Sequence, residues 1–540
     1  MLTNDRFKSI FPFKEPRHSQ REIIENIISL YENGKKYIIL NAPTGIGKSA
    51  IGYALAKYFG NGYILTSQKV LQDQYYKDFG IPKVVGKSNY QCLRNYQLSC
   101  ELGACYGMAA KRCRDSRGNC ICPYIMDKEA CLSAPFSNLN YSYFFSLFAP
   151  SALTSDSGSR QGGLYERRII VCDECHNLES ELMKQCTITL SDFTFKVCGM
   201  RGASIPKASM SDEYKIDWLQ NDILMEANRE LKKVNSTLTT LNRMPTTAEY
   251  KKISAKKSSL ERLTKQIALL FSNPSSLKGK NRIVISQDDN KIEFKPLYCQ
   301  SLFGTFLKPL GERMLFMSAS ILDKESFIKN LGISEEETEY IECDSIFPVE
   351  NRLITYLPIG SMSMKNKAET LPKMIKKIRE ILDENKDVKG IIHTVSYDVA
   401  ERIMSTLSNT DAGQRLIMPR GASRQEMLEL FYESDKPYVL ISPSLMEGID
   451  LKEDLSRLCI ICKVPYGNLG DLWTKLRMND SKQWYLGNAC MNLVQMTGRS
   501  IRTETDFAKT YILDEDFIKL AAQADGILPR WWKDSVVIGS

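Results

Sequence analysis

Histidine is almost missing from this 540-residue chain, which has three, at His18, His176 and His393. No apolar run reaches the roughly eighteen residues that a membrane-crossing helix needs, so no such helix is expected. The opening residues, "MLTNDRFKSIFPFKEPRHSQ", lack the apolar core of a secretory signal. A cytoplasmic location with reduced thiols is therefore expected. No internal repeat points to a solenoid. Between Cys92 and Cys131 lie seven of the sixteen cysteines, yet this stretch has no Cys-x-x-Cys and no histidine. Mixed Cys/His zinc is excluded there, and structural zinc usually draws on close cysteine pairs. Reduced thiols disfavour disulfides, while wide and unequal spacing suits an iron–sulfur cubane touched from four sides. The stretch alone does not choose among the three.

The composition is otherwise that of an ordinary soluble globular protein, 43% hydrophobic and 25% charged. The length suits about three or four folding units. A net charge of +8 is a weak pointer to a polyanionic partner.

The clearest chemistry lies in "KKYIILNAPTGIGKSAIGYALAKYF". Tyr37 to Leu40 read as a buried strand, and Lys48 to Phe59 as a helix with Ile51, Leu55 and Phe59 at helical spacing. Between them, Ala42-x-x-x-x-Gly47-Lys48-Ser49 has the pattern of a phosphate-binding loop. Gly45 and Gly47 let the backbone N–H groups from Thr44 through Ile46 to Ser49 curl around phosphates. Lys48 then reaches the β- and γ-phosphates of ATP, and the Ser49 hydroxyl ligates Mg2+. A second segment, "ERRIIVCDECHNLE", is an apolar strand ending in Asp173 and Glu174. An Asp at a strand end holds magnesium, and the adjacent Glu polarises the attacking water. Cys172 and Cys175, like Cys459 and Cys462 in "RLCIICKVPY", are not expected to be metal ligands, and Cys172, Cys459 and Cys462 read as buried strand residues.

Asp-Glu-Cys-His is a variant of the box of superfamily 2 helicases, and motifs resembling those of the XPD/DinG branch recur in order along almost the whole chain. "PRHSQREII" resembles the element that places Arg17 and Gln20 near the adenine, and "YILTSQKVLQDQ" the one in which Thr66 touches nucleic-acid backbone. "MLFMSASIL" resembles the coupling motif at Ser318, Ala319 and Ser320. "CDSIFPVENR" resembles the Ser-Pro-Phe element, with Ile346 where proline is usual. "GIIHTVSYDVAERI" resembles motif IV, with Ser396 and Tyr397 on the nucleic-acid track. "PSLMEGIDLKEDL" resembles motif V, with Glu447 and with Gly448 and Asp450 as nucleotide contacts. "NLVQMTGRSIRTETDF" resembles motif VI, with Gln495, Arg499 and Arg502. Hydrolysis builds negative charge on the transferring phosphoryl group, and a cation from a second domain makes its stabilisation depend on domain closure. Arg499 and Arg502, three apart on an expected helix, can face one cleft.

The resemblance implies an α/β fold of two RecA-like parallel-sheet domains, with two inserts in the first. The expected boundaries are 1–88, 138–190 and 285–335 for the first domain and 336–540 for the second. The expected cysteine-rich iron–sulfur insert spans 89–137, and a helical arch-like insert spans 191–284. Residues 229–270 of the latter hold ten Lys/Arg against three Glu. A solvated helix pair accounts for that as well as a nucleic-acid contact does, and the position within the resemblance favours contact. The resemblance also implies a [4Fe–4S] cluster, with Cys92 and Cys122 as outer ligands and Cys100 and Cys105 as the middle pair. Cys113, Cys120 and Cys131 are then surplus. The implied activity is that of an ATP-dependent, monomeric DNA helicase, 5′ to 3′, working on single-stranded and forked duplex DNA without a membrane. A translocase or RNA-directed remodeller with the same motor is the alternative.

Overall fold

Continuous apolar runs become strands buried on both faces, as parallel sheets covered by helices require. In the computed structural model the described residues are 2–17, 19–103, 113–147, 163–241, 248–271, 282–443, 451, 453–498, 500–501 and 506–539. The strands among them begin with β1 (Tyr37–Asn41), β2 (Gly62–Thr66), β3 (Phe136–Asn140) and β4 (Ile169–Asp173). Next come β5 (Ile188–Ser191), β6 (Ile283–Gln287), β7 (Lys291–Pro296), β8 (Met314–Ser318) and β9 (Thr338–Glu342). The last are β10 (Ile354–Gly360), β11 (Gly390–His393), β12 (Leu416–Ile417), β13 (Val439–Ser442), β14 (Leu458–Ile461), β15 (Lys509–Asp514) and β16 (Val536–Ile538).

Two parallel sheets form the body. The first has the order β3-β2-β4-β8-β1-β9 and the second β12-β13-β11-β14-β15-β10-β16. This is the expected pair of α/β domains. In the first sheet, Ile38, Leu40, Ile64, Val171 and Met317 fill one face, and Ile39, Tyr63, Leu65, Ile170 and Phe316 the other. The adjacent order β4-β8-β1 puts three strand ends side by side, in register Asp173↔Met317 and Asn41↔Ser318. Ligands of open α/β sheets bind at such carboxyl ends. Cys172, Cys459 and Cys462 are fully buried on or beside strands, as expected.

Three boundaries shift. The expected start of the second domain at 336 is too early, because β9 pairs in parallel with β1, from Tyr37↔Thr338 to Asn41↔Glu342. The first sheet therefore runs to Glu342. The cysteine-rich insert gives way earlier than 137, because β3 begins at Phe136 and joins β2. The second insert is wider than 191–284, since β5, β7 and β6 form a separate antiparallel sheet. From that sheet extend the helices Leu224–Leu241 and Ala248–Phe271, which pack along each other. Among the described residues, no helix is long and apolar enough to cross a membrane.

Candidate active site

The phosphate-binding loop follows β1 and leads into the helix Lys48–Phe59. Gly45 and Gly47 have φ of +94° and +83°, a left-handed region that side chains resist. A Cβ on Gly47 would also lie 2.2 Å from Gln20 Nε2. Gln20 is buried and donates to the Ile46 carbonyl at 2.8 Å, while Arg17 Nη1 donates to the Gly45 carbonyl at 2.6 Å. Arg17 and Gln20 thus brace the loop's own backbone. Lys48 Nζ donates to the Ala42 carbonyl at 3.0 Å, and Thr44 is half-buried beside it. Phe347, from the element in which Ile346 replaces proline, lies against Gly45, within 2.5 Å of where a Cβ would stand.

Asp173 ends β4 and is buried. Tyr75 donates its hydroxyl to Asp173 Oδ2 at 2.9 Å, and the Glu174 backbone N–H donates to Oδ1 at 3.0 Å. The same Tyr75 hydroxyl meets Ser49, so one phenol spans both expected magnesium ligands. Burial, then the neighbouring Glu174 carboxylate, raises Asp173 from 3.8 to about 6, against the opposing pull of Lys48. Glu174 itself has φ of +50°, uncommon for a residue with a side chain. Such strain persists only where the surroundings enforce it, and it clusters at active sites.

A polar path leads from this carboxylate to the second domain. Glu174 Oε2 lies 3.3 Å from His176 Nδ1, which lies 2.8 Å from Ser318 Oγ. Ser318 Oγ is 3.3 Å from Ser320 Oγ, which accepts a hydrogen bond from Gln495 Nε2 at 3.0 Å. Gln495 belongs to the helix Lys482–Thr497. That helix ends at Thr497 and is capped by Gly498. The arginines expected to share a helix face are Arg499 and Arg502. Both arginines lie outside the described residues, as do Glu447, Gly448, Asp450 and Cys105.

The expected nucleic-acid contacts divide. Thr66 is fully buried at the end of β2 and donates to the Gln68 carbonyl at 3.3 Å, so its side chain does not face a strand. Tyr397 is 56% exposed and opens the helix Tyr397–Leu407, with Ser396 before it. Val395, just upstream, has φ of +59°, a conformation that a β-branched residue rarely adopts.

In the cysteine-rich insert, Cys92, Cys100, Cys113, Cys122 and Cys131 are buried within the same core as the first domain. The Cys100 and Cys122 sulfurs are 3.9 Å apart. Burial, then Cys122, and further off Cys92, push the Cys100 thiol up to about 12. Two of the four expected ligands, Cys100 and Cys122, thus lie side by side, and an all-thiol donor set is the kind that iron–sulfur clusters use. Among the described residues no group of three or more His, Cys, Asp or Glu side chains could hold a metal ion as placed. Cys131 instead donates to the Pro82 carbonyl at 3.2 Å, as a core residue would.

Sequence reasoning passed over Tyr75 and any role for His176. Tyr75 sits in an amphipathic helix, where a tyrosine reads as core, and only the fold brings it to Asp173.

The chain matches the model of the helicase C-terminal domain over residues 378–535. It matches that of the type III restriction enzyme res subunit over 13–197. It is 22% identical over 234 residues to the ATP-dependent DNA helicase YoaA of Escherichia coli, covering 41% of this chain and 36% of that protein. A probable ATP-dependent helicase of Methanocaldococcus jannaschii is 26% identical over 219 residues, covering 34% of this chain and 32% of that protein. The matched region thus spans about a third of each curated relative's length. Among solved structures, one titled as an XPD helicase aligns with TM-score 0.63 at 16% identity, over 98% of this chain and all of that one. An XPD of S. tokodaii aligns with TM-score 0.61 at 17% identity, over 97% of this chain and all of that one. The chain thus matches both motor-domain models, and its fold is similar to that of the XPD structures over nearly its full length.

Proposed function

We propose that this chain is an ATP-dependent DNA helicase that moves 5′ to 3′ along single strands and opens forked duplexes. The observation that supports this most is the polar path from Glu174 through His176, Ser318 and Ser320 to Gln495. It links the residue that would activate water to the domain that would move.

Bound Mg·ATP supplies the phosphoanhydride to be cleaved and neutralises charge on its oxygens. Lys48 and the backbone amides of Gly45, Ile46 and Gly47 would hold the phosphates, and Ser49 and Asp173 the magnesium. Arg17 and Gln20 keep the loop in shape by gripping its carbonyls. Glu174 accepts the proton of the attacking water, and His176 fixes the carboxylate's orientation. Gln495 reports domain closure to Ser320, and Arg499 and Arg502 are assigned to the charge developing on the phosphoryl group. Gly448 and Asp450 complete the nucleotide contacts from the second domain. Tyr397 offers a stacking face to a single strand, with Ser396 at a helix N-terminus beside it. Cys92, Cys100, Cys105 and Cys122 would hold a [4Fe–4S] cluster whose ligation would tie the insert to itself.

Unwinding of 5′-tailed and 3′-tailed DNA and RNA duplexes tests this reading. ATP-dependent opening of the 5′-tailed DNA duplex is expected. Opening of RNA alone, or ATP hydrolysis without any strand separation, would replace it with the remodeller or translocase.

A further inference from the structure

In the second domain, the helix Leu472–Asp480 carries Arg477, whose side chain is 1% exposed. A cation so buried is costly unless paired and hydrogen-bonded. Here it is held on every side. Arg477 Nη1 pairs with Glu179 Oε1 at 2.9 Å and donates to the Leu297 carbonyl at 2.8 Å, and Nη2 donates to Asn330 Oδ1 at 2.6 Å. Its guanidinium carbon lies 4.4 Å from the ring centres of Tyr298 and Trp484 and 5.3 Å from that of Trp473. Glu179 in turn accepts from Asn330 Nδ2 at 3.1 Å and from Trp484 Nε1 at 3.4 Å.

The partners come from three bodies. Glu179 lies in the helix Leu178–Lys184, which follows Glu174 after a single short turn, Cys175–Asn177. Leu297 and Tyr298 directly follow β7, at the base of the second insert. Trp473 and Trp484 belong to the second domain. A planar guanidinium fixes direction as well as distance, which a lysine's point charge does not. An aromatic cage further restricts it to one orientation.

We infer that Arg477 is a positioning residue, which locks the second domain to the Glu179 helix and so sets where Gln495 meets Ser320, at the end of the polar path from Glu174. The inference rests on the proposed ATPase reading. Among the described residues, the hydrogen-bond, ion-pair and ring partners of Arg477 lie outside the nucleotide loop, so its effect falls on turnover and not on nucleotide binding.

The test uses the full-length protein, Arg477→Met, Arg477→Lys and Glu179→Gln, with single-stranded DNA and a fluorescent ATP analogue. Expected is a DNA-stimulated kcat at least tenfold lower for Arg477→Met, with analogue affinity within about twofold of the parent. Arg477→Lys should recover only part of the loss, and Glu179→Gln combined with Arg477→Met should cost little more than either alone. A parent protein without ATPase activity would sink the motor reading itself. Folded Arg477→Met with parental kcat, or Arg477→Lys fully equivalent to arginine, would overturn the positioning role. If Arg477→Met does not fold, Glu179→Gln decides: it keeps the shape and removes the charge, and unchanged turnover there refutes the lock.

Discussion

Replacing Asp173 by asparagine should make the magnesium-free protein more stable while abolishing its catalysis. Asp173 is buried, and its acidity is weakened from 3.8 to about 6, chiefly by burial and then by Glu174. An acid whose folded pKa lies above its unfolded one binds more protons in the folded state between those two values. Stability from this group is therefore greatest at low pH, falls as pH rises from about 4 to about 6, and stays low above that. At ~1.36 kcal/mol per tenfold change in acidity, the cost at neutral pH is about 3 kcal/mol. Asparagine keeps the shape and never ionises. Its amide oxygen can take the Glu174 N–H, and the Tyr75 hydroxyl, which also accepts, can face the amide nitrogen. Thermal unfolding in EDTA across pH 4 to 8 reads the effect. Asp173→Asn should exceed the parent's midpoint by several degrees at pH 7.5 and converge with it near pH 4. Added magnesium should then raise the parent and not the variant. A variant less stable than the parent at pH 7.5, or a gap that does not change with pH, would show that the buried carboxylate carries no such penalty.

Four further outcomes are expected. Lys48→Ala should abolish nearly all ATP hydrolysis while far-ultraviolet circular dichroism stays unchanged, because Lys48 would meet charge that grows in the transition state. Gln495→Ala and Ser320→Ala should each lower DNA-stimulated turnover roughly fivefold, as loss of about 1 kcal/mol predicts, and the double variant little more. Tyr397→Ala should weaken single-strand binding by about 1–3 kcal/mol in fluorescence titrations, and binding by the parent should fall steeply with added salt. Anaerobically purified protein should be brown and contain iron. Cys92→Ser or Cys122→Ser should bleach it and cost unwinding far more than basal ATP hydrolysis, whereas Cys131→Ser keeps the colour; colourless, zinc-containing protein that unwinds DNA would overturn the cluster.

The nucleotide loop, Asp173 and the two parallel sheets were legible because each depends on local sequence. Central parallel strands are apolar on both faces and read as continuous runs. Strand β9, "TEYIE", escapes this rule. It is an edge strand with one buried residue, so it reads as loop until its pairing with β1 is seen. β7 and most of β6 lie in the 285–335 stretch expected for the first domain, because short strands do not announce which sheet they will join. For Thr66 the motif marks the strand end but not the direction of the hydroxyl, which turns inward to Gln68. Gly498 is a stop signal that the sequence does carry, and it caps the helix that holds Gln495. Tyr75 and Arg477 were not legible at all. Their partners are remote in sequence, Asp173 for the one and Glu179, Leu297 and Asn330 for the other. An arginine on a short polar helix looks like surface until three bodies close around it.

The links between the domains have a common destination. Gln495 reaches Ser320, two residues beyond the end of β8. Arg477 reaches Glu179, one short turn beyond the end of β4. Phe347 packs with Ile501 and Ala508 of the second domain and lies against Gly45, in the loop after β1. Strands β4, β8 and β1 are neighbours in the first sheet, so the second domain touches groups beside each of the three strand ends assigned to the proposed ATP chemistry. A rotation of that domain cannot relieve one link without loading the other two. Catalysis should therefore respond to domain position as a single step, with all three links made or none. Near-additive losses from Gln495→Ala, Arg477→Met and Phe347→Ala would instead mean that each link acts on its own strand end alone.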